Sequence, residues 1–242
     1  MCKSAPSGKP EGCQAFPLEP RVKGRSARIA TAETLFPFRS LAPPRVSPFP
    51  DRDALRLQLR ERRRALPAAQ RIAAAEAFAD HLLQSPLLPA SGYVAGYWAM
   101  DGEIGLHALQ LRLPAPLVYC LPILHDDRSL RFAPWRAGDP LVTNRYGIPE
   151  PDVAADSALP AAEMAILVLP LVGFDAAGNR LGMGGGWYDR TLAFRDSPAT
   201  PPRLVGAAFA LQQVDAIEPQ PWDVRLDAIC TEAALIVAKE PA

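Results

Sequence analysis

The apolar positions of this chain recur first at helical spacing and later in short continuous runs. Leu55, Leu59 and Leu66 give an apolar stripe to a predicted first helix. That helix begins near Asp51, whose side chain can cap it, and Pro67 suits the first turn of a second helix. The predicted buried face of the second helix consists of Ile72, Ala75, Phe78, Ala79, Leu82 and Leu83.

Beyond residue 92, strand-like apolar runs alternate with shorter helical patterns. The predicted strands cover residues 93–98, 117–121, 166–169, 204–209, 227–231 and 234–238. The predicted helices cover residues 106–111 and the segment after Gly186, with a short turn at 212–215. Such alternation predicts an α/β fold, a single domain with a mostly parallel, three-layer sheet flanked by helices. Residues 125–160, interrupted by prolines and acids, are predicted to be irregular structure around a site.

The first fifty residues differ in composition from the rest of the 242-residue chain. They hold eight Lys or Arg against three Asp or Glu, and nine of the 27 prolines, with no sustained apolar periodicity. This composition predicts a disordered basic extension over residues 1–50 and an α/β domain over residues 51–242. Three explanations compete for the extension: a tail without structure, a start of translation assigned too early, or an organellar transit peptide.

Several functional classes are disfavoured by motifs that the chain lacks. The four cysteines form no C-x-x-C pair and the three histidines form no H-E-x-x-H motif, which argues against a zinc site. There is no G-x-S-x-G elbow, and no apolar run is long enough to cross a membrane. The basic extension contains no recognised nucleic-acid-binding module, so we expect no nucleic-acid partner. We expect a cytoplasmic monomer, or a mitochondrial protein if residues 1–50 are a transit peptide.

The stretch from residue 167 to residue 190, LVLPLVGFDAAGNRLGMGGGWYDR, is the most informative in the chain. A predicted strand ends at Pro170, a turn follows, and four glycines then fall within five positions before a helix start. Backbone N–H groups in such a loop can hold phosphate, although the motif is neither a P-loop nor the dinucleotide fingerprint. A tight turn whose glycines tolerate positive φ is the alternative. The charges of Arg180, Asp189 and Arg190 favour phosphate, because a plain turn does not need them.

Residues 179–190, NRLGMGGGWYDR, resemble the signature of the 5-formyltetrahydrofolate cyclo-ligase family, also called methenyltetrahydrofolate synthetases. The matching positions are Pro170, Phe174, Asp175, Gly178, Arg180, Leu181, Gly182, Gly184, Gly186, Trp187, Tyr188 and Asp189. The resemblance implies an ATP-dependent ligase that cyclises 5-formyltetrahydrofolate to 5,10-methenyltetrahydrofolate and releases ADP and phosphate, with Mg²⁺ as cofactor. An α/β phosphate- or nucleotide-binding protein without this activity is the alternative.

The resemblance also implies which residues form the site. The implied ATP-binding residues are Arg52, Arg56, Arg180, Leu181, Gly182, Met183, Gly184, Gly185, Gly186, Trp187 and Tyr188. The implied folate-binding residues are Arg56, Met100, Glu103, Tyr146 and Trp187. Arg180 and Asp189 are the implied catalytic residues, and Asp189 with Asp223 is the implied magnesium site.

Each of these assignments has a plainer alternative. Arg52, Arg56, Arg60 and Arg63 lie close to one face of the first helix, and such a face is usually solvated. Members of the family carry a lysine and an arginine, four residues apart, at the first two of these positions, which favours a phosphate clamp there. Glu103 can be a charge that complements a helix dipole, Tyr146 a surface aromatic and Asp223 a turn cap. Met183 and Gly185 stand where some members carry basic residues.

Overall fold

A computed structural model describes residues 51–195 and 201–238, and the predicted extension over residues 1–50 lies outside them. Asp51 caps the first helix as predicted, since its Oδ2 accepts a hydrogen bond of 2.9 Å from the N–H of Ala54. The helices are α1 (Arg52–Arg64), α2 (Ala68–Leu83), α3 (His107–Arg112) and α4 (Trp187–Thr191). The strands are β1 (Gly92–Ala95), β2 (Leu117–Leu124), β3 (Leu130–Pro134), β4 (Leu141–Thr143), β5 (Pro149–Pro151), β6 (Met164–Pro170), β7 (Gly173–Phe174), β8 (Arg180–Leu181), β9 (Arg203–Ala207), β10 (Ala228–Cys230) and β11 (Leu235–Val237). Single turns of 3-10 helix cover Ala155–Ser157, Ala161–Glu163 and Ala210–Gln212.

Seven strands form one central sheet in the order β11-β10-β9-β6-β1-β2-β3. The five inner strands pair in parallel, and β11 and β3 join antiparallel at the two edges. Ile166 and Val168 of β6 pack into a core with α2 and α3, whereas Leu167 and Leu169 pack into a second core with residues of and after α4. Both faces of the sheet are therefore covered, which confirms the predicted α/β class with a mostly parallel sheet.

The predicted elements are present with bounds shifted by a few residues, but the prediction of irregular structure over residues 125–160 is wrong. Strand β3 lies in this stretch and pairs with β2, while β4 and β5 form a separate hairpin. Asn144 closes the hairpin turn, because its Oδ1 accepts hydrogen bonds from the N–H groups of Tyr146 (2.9 Å) and Ile148 (3.2 Å). The prolines of these strands lie on edge strands or at strand ends, where a missing N–H is tolerated.

Three smaller predictions about helices also need correction. Ile72 is 60% exposed, because the buried face of α2 begins only at Ala74. Helix α1 ends at Arg64, so Leu66 lies beyond it and packs instead against the α2 core. The turn predicted at residues 212–215 is a 3-10 turn at Ala210–Gln212. Among the described helices, none is both long enough and apolar enough to span a membrane.

Candidate active site

A pocket of about 990 Å³ opens beyond the carboxyl ends of β1, β2 and β6. This is the edge at which α/β proteins bind ligands, and the volume is at the upper end for small-molecule sites. Every predicted site residue except Leu181 lines this pocket: Arg52, Arg56, Met100, Glu103, Tyr146, Arg180, Gly182, Met183, Gly184, Gly185, Gly186, Trp187, Tyr188, Asp189 and Asp223. Leu181 is fully buried in a small core with Leu59. The fold thus brings together residues that are up to 171 positions apart in sequence.

The glycine-rich loop, residues 182–186, forms one wall of the pocket. Gly184 (φ +91°) and Gly186 (φ +64°) adopt left-handed backbone conformations that favour glycine. Arg56 Nε donates a hydrogen bond of 2.9 Å to the carbonyl oxygen of Gly182, which fastens the loop to α1. Between β6 and the loop lies the β7–β8 hairpin, where the sequence predicts only a turn. Helix α4, which follows the loop, has only five residues, so its dipole contributes little to anion binding.

Two arginines present buried hydrogen-bond donors to this pocket. Arg52 Nη1 donates to Asp223 Oδ2 (2.8 Å), and Arg180 Nη2 forms a short ion pair with Asp189 Oδ1. Arg52 Nε and Arg180 Nη1 are also buried, but neither has a hydrogen-bond partner among the described residues. Leaving a charged donor buried and unpaired is costly, so both groups indicate a place where an anionic ligand supplies the acceptor.

The two aspartates predicted to hold magnesium are each engaged through one oxygen. Asp189 Oδ1 accepts from Arg180 and, at 3.3 Å, from the N–H of Val224; Asp223 Oδ2 accepts from Arg52 and, at 3.0 Å, from the N–H of Gln220. Within the described part of the chain, no group of three or more His, Cys, Asp or Glu side chains could hold a metal ion. Mg²⁺ is commonly bound by one or two carboxylates together with substrate phosphates, so these two residues fit a metal that arrives with a nucleotide.

The arginines in the carboxyl-terminal half of α1 pair with a carboxylate of the protein, whereas the sequence left open that they form a solvated basic face. Arg60, Arg63 and Arg64 all form ion pairs with the carboxylate of Asp101, in the loop after β1. Arg63 is completely buried, and Asp101 adopts a left-handed conformation (φ +53°) that is uncommon outside glycine. Burial alone raises the pKa of Asp101, but hydrogen bonds from Arg60 and Arg64 outweigh it and hold that pKa below its usual value. Sequence reasoning missed both Asp101 and the burial of Arg63.

Glu103 lies two residues beyond Asp101 and is almost fully buried in the wall of the pocket. Its Oε2 accepts a hydrogen bond of 3.0 Å from the N–H of Met100, and its Oε1 lies 3.8 Å from Arg63 Nη1. Burial raises the pKa of Glu103, whereas the Met100 N–H and the charge of Arg63 lower it. The alternative role as a first-turn helix charge is wrong, because α3 begins only at His107.

Aromatic side chains form much of the remaining wall. The rings of Tyr146 and Trp187 meet edge to face with centroids 6.1 Å apart, and the guanidinium of Arg145 lies 5.4 Å from each centroid. Tyr97 and Tyr188 lie deeper, and burial raises the pKa of both hydroxyls, so both are neutral at physiological pH. These residues give the pocket an aromatic part beside its cationic part.

Known proteins resemble this chain over most of its length. The sequence model of the 5-formyltetrahydrofolate cyclo-ligase family matches residues 49–232. The 5-formyltetrahydrofolate cyclo-ligase of Haemophilus influenzae is 38% identical over 179 residues, covering 72% of this chain and 94% of that protein. The enzyme of the same name from Escherichia coli K12 is 37% identical over 177 residues, covering 72% and 96%. The NMR structure of a 5,10-methenyltetrahydrofolate synthetase from Aquifex aeolicus has a TM-score of 0.67 at 24% identity, over 79% of this chain and 94% of that one, and supports the fold alone.

Proposed function

This chain belongs to the 5-formyltetrahydrofolate cyclo-ligase family, and we propose that it cyclises 5-formyltetrahydrofolate to 5,10-methenyltetrahydrofolate in a reaction that needs ATP and Mg²⁺ and releases ADP and phosphate. The observation that carries this proposal is the pair of buried, unpartnered donors, Arg52 Nε and Arg180 Nη1, beside a glycine-rich loop. A triphosphate provides the acceptors that these donors lack. The adjoining aromatic wall suits a pteridine ring.

The ATP phosphates lie along the glycine-rich loop, where backbone N–H groups and Arg52, Arg56 and Arg180 supply positive potential. Arg56 is already bonded to Gly182 O and to the exposed side chain of Asp53, so a phosphate can replace the Asp53 contact at little cost. Met183 and Gly185 bring no charge to the loop. Neutralisation of the triphosphate therefore falls on the arginines and on a magnesium ion.

Asp189 and Asp223 are the residues that would hold Mg²⁺. Bound there, the ion would supply charge neutralisation to the phosphate oxygens. Each aspartate is held in place by an arginine and by one backbone N–H group, so both carboxylates are oriented before a nucleotide binds.

The folate occupies the other part of the pocket. The Glu103 carboxylate can accept hydrogen bonds from the N–H groups of the pteridine, while Met100, Tyr146 and Trp187 pack against its ring. Arg56 lines the same pocket and can contact either substrate. The reaction requires the formyl oxygen to face the γ-phosphate, and binding both substrates in one pocket would convert a bimolecular encounter into a positioned one.

The reaction then proceeds in two steps. The formyl oxygen attacks the γ-phosphorus, the bond from that phosphorus to the bridging oxygen of ADP breaks, and an activated imino-phosphate forms. N10 then attacks the formyl carbon and loses its proton, the C–O bond breaks, and phosphate leaves with the former formyl oxygen. We assign Arg180 to stabilise the charge of the transferring phosphoryl group, and no side-chain nucleophile is needed.

The test is a spectrophotometric assay of the purified protein with 5-formyltetrahydrofolate. We expect the absorbance of the methenyl product to rise only when ATP and Mg²⁺ are both present, with one ADP formed for each product. Omission of ATP, of Mg²⁺ or of the folate provides the three controls. Binding of nucleotide without any rise in absorbance would favour the alternative, a nucleotide-binding protein without cyclo-ligase activity.

A further inference from the structure

We propose that Arg63 is a positioning residue for the folate: from the last turn of α1 it orients the Glu103 carboxylate towards the bound pteridine. Arg63 does not line the pocket, whereas Glu103 does. The inference rests on the proposed function, because it takes Glu103 to be the group that contacts the folate. It adds a residue that acts on the substrate only through another side chain.

The guanidinium of Arg63 joins α1 to two other segments of the chain, the loop that holds Asp101 and Glu103 and the residue after β6. Its Nε donates to the carbonyl oxygen of Asp101 (3.1 Å) and its Nη2 to Asp101 Oδ2 (2.8 Å). Its Nη1 donates to the carbonyl oxygen of Leu171 (3.1 Å), just beyond the end of β6. The same Nη1 lies 3.8 Å from Glu103 Oε1. The guanidinium is therefore fixed by four contacts, and its position fixes the charge that Glu103 faces.

Pairing with Asp101 alone does not explain why Arg63 is buried. Asp101 already receives Arg60 and Arg64, whose side chains are 30% and 51% exposed, whereas the Arg63 side chain is fully buried. Burying a third cation on one carboxylate carries a large desolvation penalty. Of these three arginines, Arg63 is the one with an ion-pair contact to Glu103. We therefore relate the burial of Arg63 to its contact with Glu103 in the site.

The charged and titratable groups around Glu103 come from three parts of the chain. Arg63 and Arg60 face it from α1, Asp101 and Tyr97 from the same loop after β1, and Tyr188 from α4. Burial raises the pKa of Glu103, and Arg63 opposes that increase.

The direction of the pH effect follows from these charges. Removing Arg63 raises the pKa of Glu103 further, so the carboxylate becomes protonated at a higher pH. Because folate binding depends on the ionised carboxylate, the affinity falls when acidification protonates Glu103. In a protein without Arg63, this fall begins at a higher pH than in the natural protein. A residue that only stabilises the fold would not move this part of the pH profile.

The experiment compares Arg63→Met with Arg64→Met, which removes a partner of Asp101 that lacks the Glu103 contact. We expect calorimetric titration of 5-formyltetrahydrofolate at pH 7 to show roughly tenfold to hundredfold weaker binding to Arg63→Met, the effect of losing one oriented charged contact. The acidic fall in affinity should move to higher pH, while the KM for ATP changes less than about twofold. Arg64→Met should resemble the natural protein in all three measurements.

Two further variants keep the inference falsifiable if Arg63→Met folds poorly by circular dichroism. Arg63→Lys keeps the charge but not the fork of donors, so folate affinity should fall while its pH profile stays unshifted. In Glu103→Gln, adding Arg63→Lys should weaken folate binding no further, because the group through which Arg63 acts is gone.

Three results would overturn the inference: equal losses of folate and ATP affinity, an unshifted pH profile in a folded Arg63→Met, or additive effects in the double variant. Failure of the proposed function is distinguished by the natural protein itself. That failure would appear as no folate binding or no ATP-dependent turnover before any substitution is made.

Discussion

Two guanidinium groups in the pocket offer more hydrogen-bond donors than the described protein groups accept. Arg52 and Arg180 each pair with an aspartate and each keep one buried nitrogen without a partner. Such a residue stabilises the bound state more than the free state, because the ligand satisfies a donor that the free protein leaves unpaired. We therefore assign Arg180 to the transferring phosphoryl group.

Replacing Arg180 or Asp189 by alanine should reduce kcat by about 10²–10³-fold, the effect of removing one preorganised group that stabilises transition-state charge. Arg180 is buried and Asp189 is partly buried, but neither residue belongs to the main apolar cores. The fold should therefore persist in both variants. Arg112→Ala is the matched control, since Arg112 pairs with Glu76 and Asp80 on the protein surface. Near-normal turnover in either pocket variant, with an unchanged thermal unfolding curve, would remove that residue from the mechanism.

How far single residues could be predicted depended on whether their signal was local. Arg180 and Asp189 lie within one twelve-residue motif, and a pattern of that density can be read directly. Arg63 could not be identified in this way, because its partners Asp101 and Leu171 are 38 and 108 positions away. In sequence it looks the same as the exposed arginines beside it on α1. Only the fold distinguishes a buried guanidinium from a solvated one.

At the scale of elements, α1 connects the two halves of the pocket. Its first turns carry Arg52 and Arg56 to the phosphate side, where Arg56 bonds to the glycine-rich loop. Its last turns carry Arg60, Arg63 and Arg64 to Asp101, beside the folate side. In the proposed function, this one helix therefore contributes residues to both the nucleotide part and the folate part of the pocket.

The glycine-rich loop permits a test in which backbone strain and function are separated. Gly184→Ala and Gly138→Ala both force a side chain into a positive-φ conformation (φ +91° and φ +101°), which should cost each variant about 1–2 kcal/mol of stability. A Cβ added at Gly184 would lie within 4 Å of the Arg56 guanidinium, whereas a Cβ at Gly138 would meet nothing at that distance. We expect only Gly184→Ala to raise the KM for ATP, by at least about tenfold. Equal kinetic effects in the two variants would mean that the loop does not bind the nucleotide.

Elements were predictable where the apolar pattern was continuous. The inner strand β6 is buried on both faces, so its sequence is an unbroken apolar run. Edge strand β3 and the β4–β5 hairpin were not predicted, because their pairing depends on β2 and on the Asn144 turn rather than on their own composition. Short edge strands that contain proline are too short to show the apolar pattern by which a strand is predicted from sequence.

At the scale of the whole molecule, the two cores on either side of the sheet leave little spare volume. A Cβ added to Gly206 of β9 would lie 2.5 Å from Leu171 Cδ1 and 2.7 Å from Leu226 Cδ1, closer than normal contact. Gly206→Ala should therefore lower the free energy of unfolding by about 1–3 kcal/mol, as overpacked cores do. Urea denaturation measures this, with Gly182→Ala as the control, because a Cβ there meets no atom within 4 Å. A Gly206→Ala protein as stable as the control would contradict this account of the packing.

The division of the chain into an extension over residues 1–50 and a domain over residues 51–242 stays a prediction, as do the monomeric state and the cytoplasmic compartment. The family model begins to match at residue 49. The pocket-lining residues that the structure describes all lie beyond that point. The residues to which the proposed chemistry is assigned therefore belong to the part of the chain that the family model matches.

The proposed reaction requires the pocket to bring the formyl oxygen of the folate to the γ-phosphate of ATP. An isotope experiment follows that oxygen: 5-formyltetrahydrofolate labelled with ¹⁸O in the formyl group is turned over with ATP and Mg²⁺, and the released phosphate is analysed by mass spectrometry. We expect one ¹⁸O atom in each inorganic phosphate, because the phosphoryl group leaves with the former formyl oxygen. Unlabelled phosphate, with the label found in water, would show that the formyl oxygen is not phosphorylated.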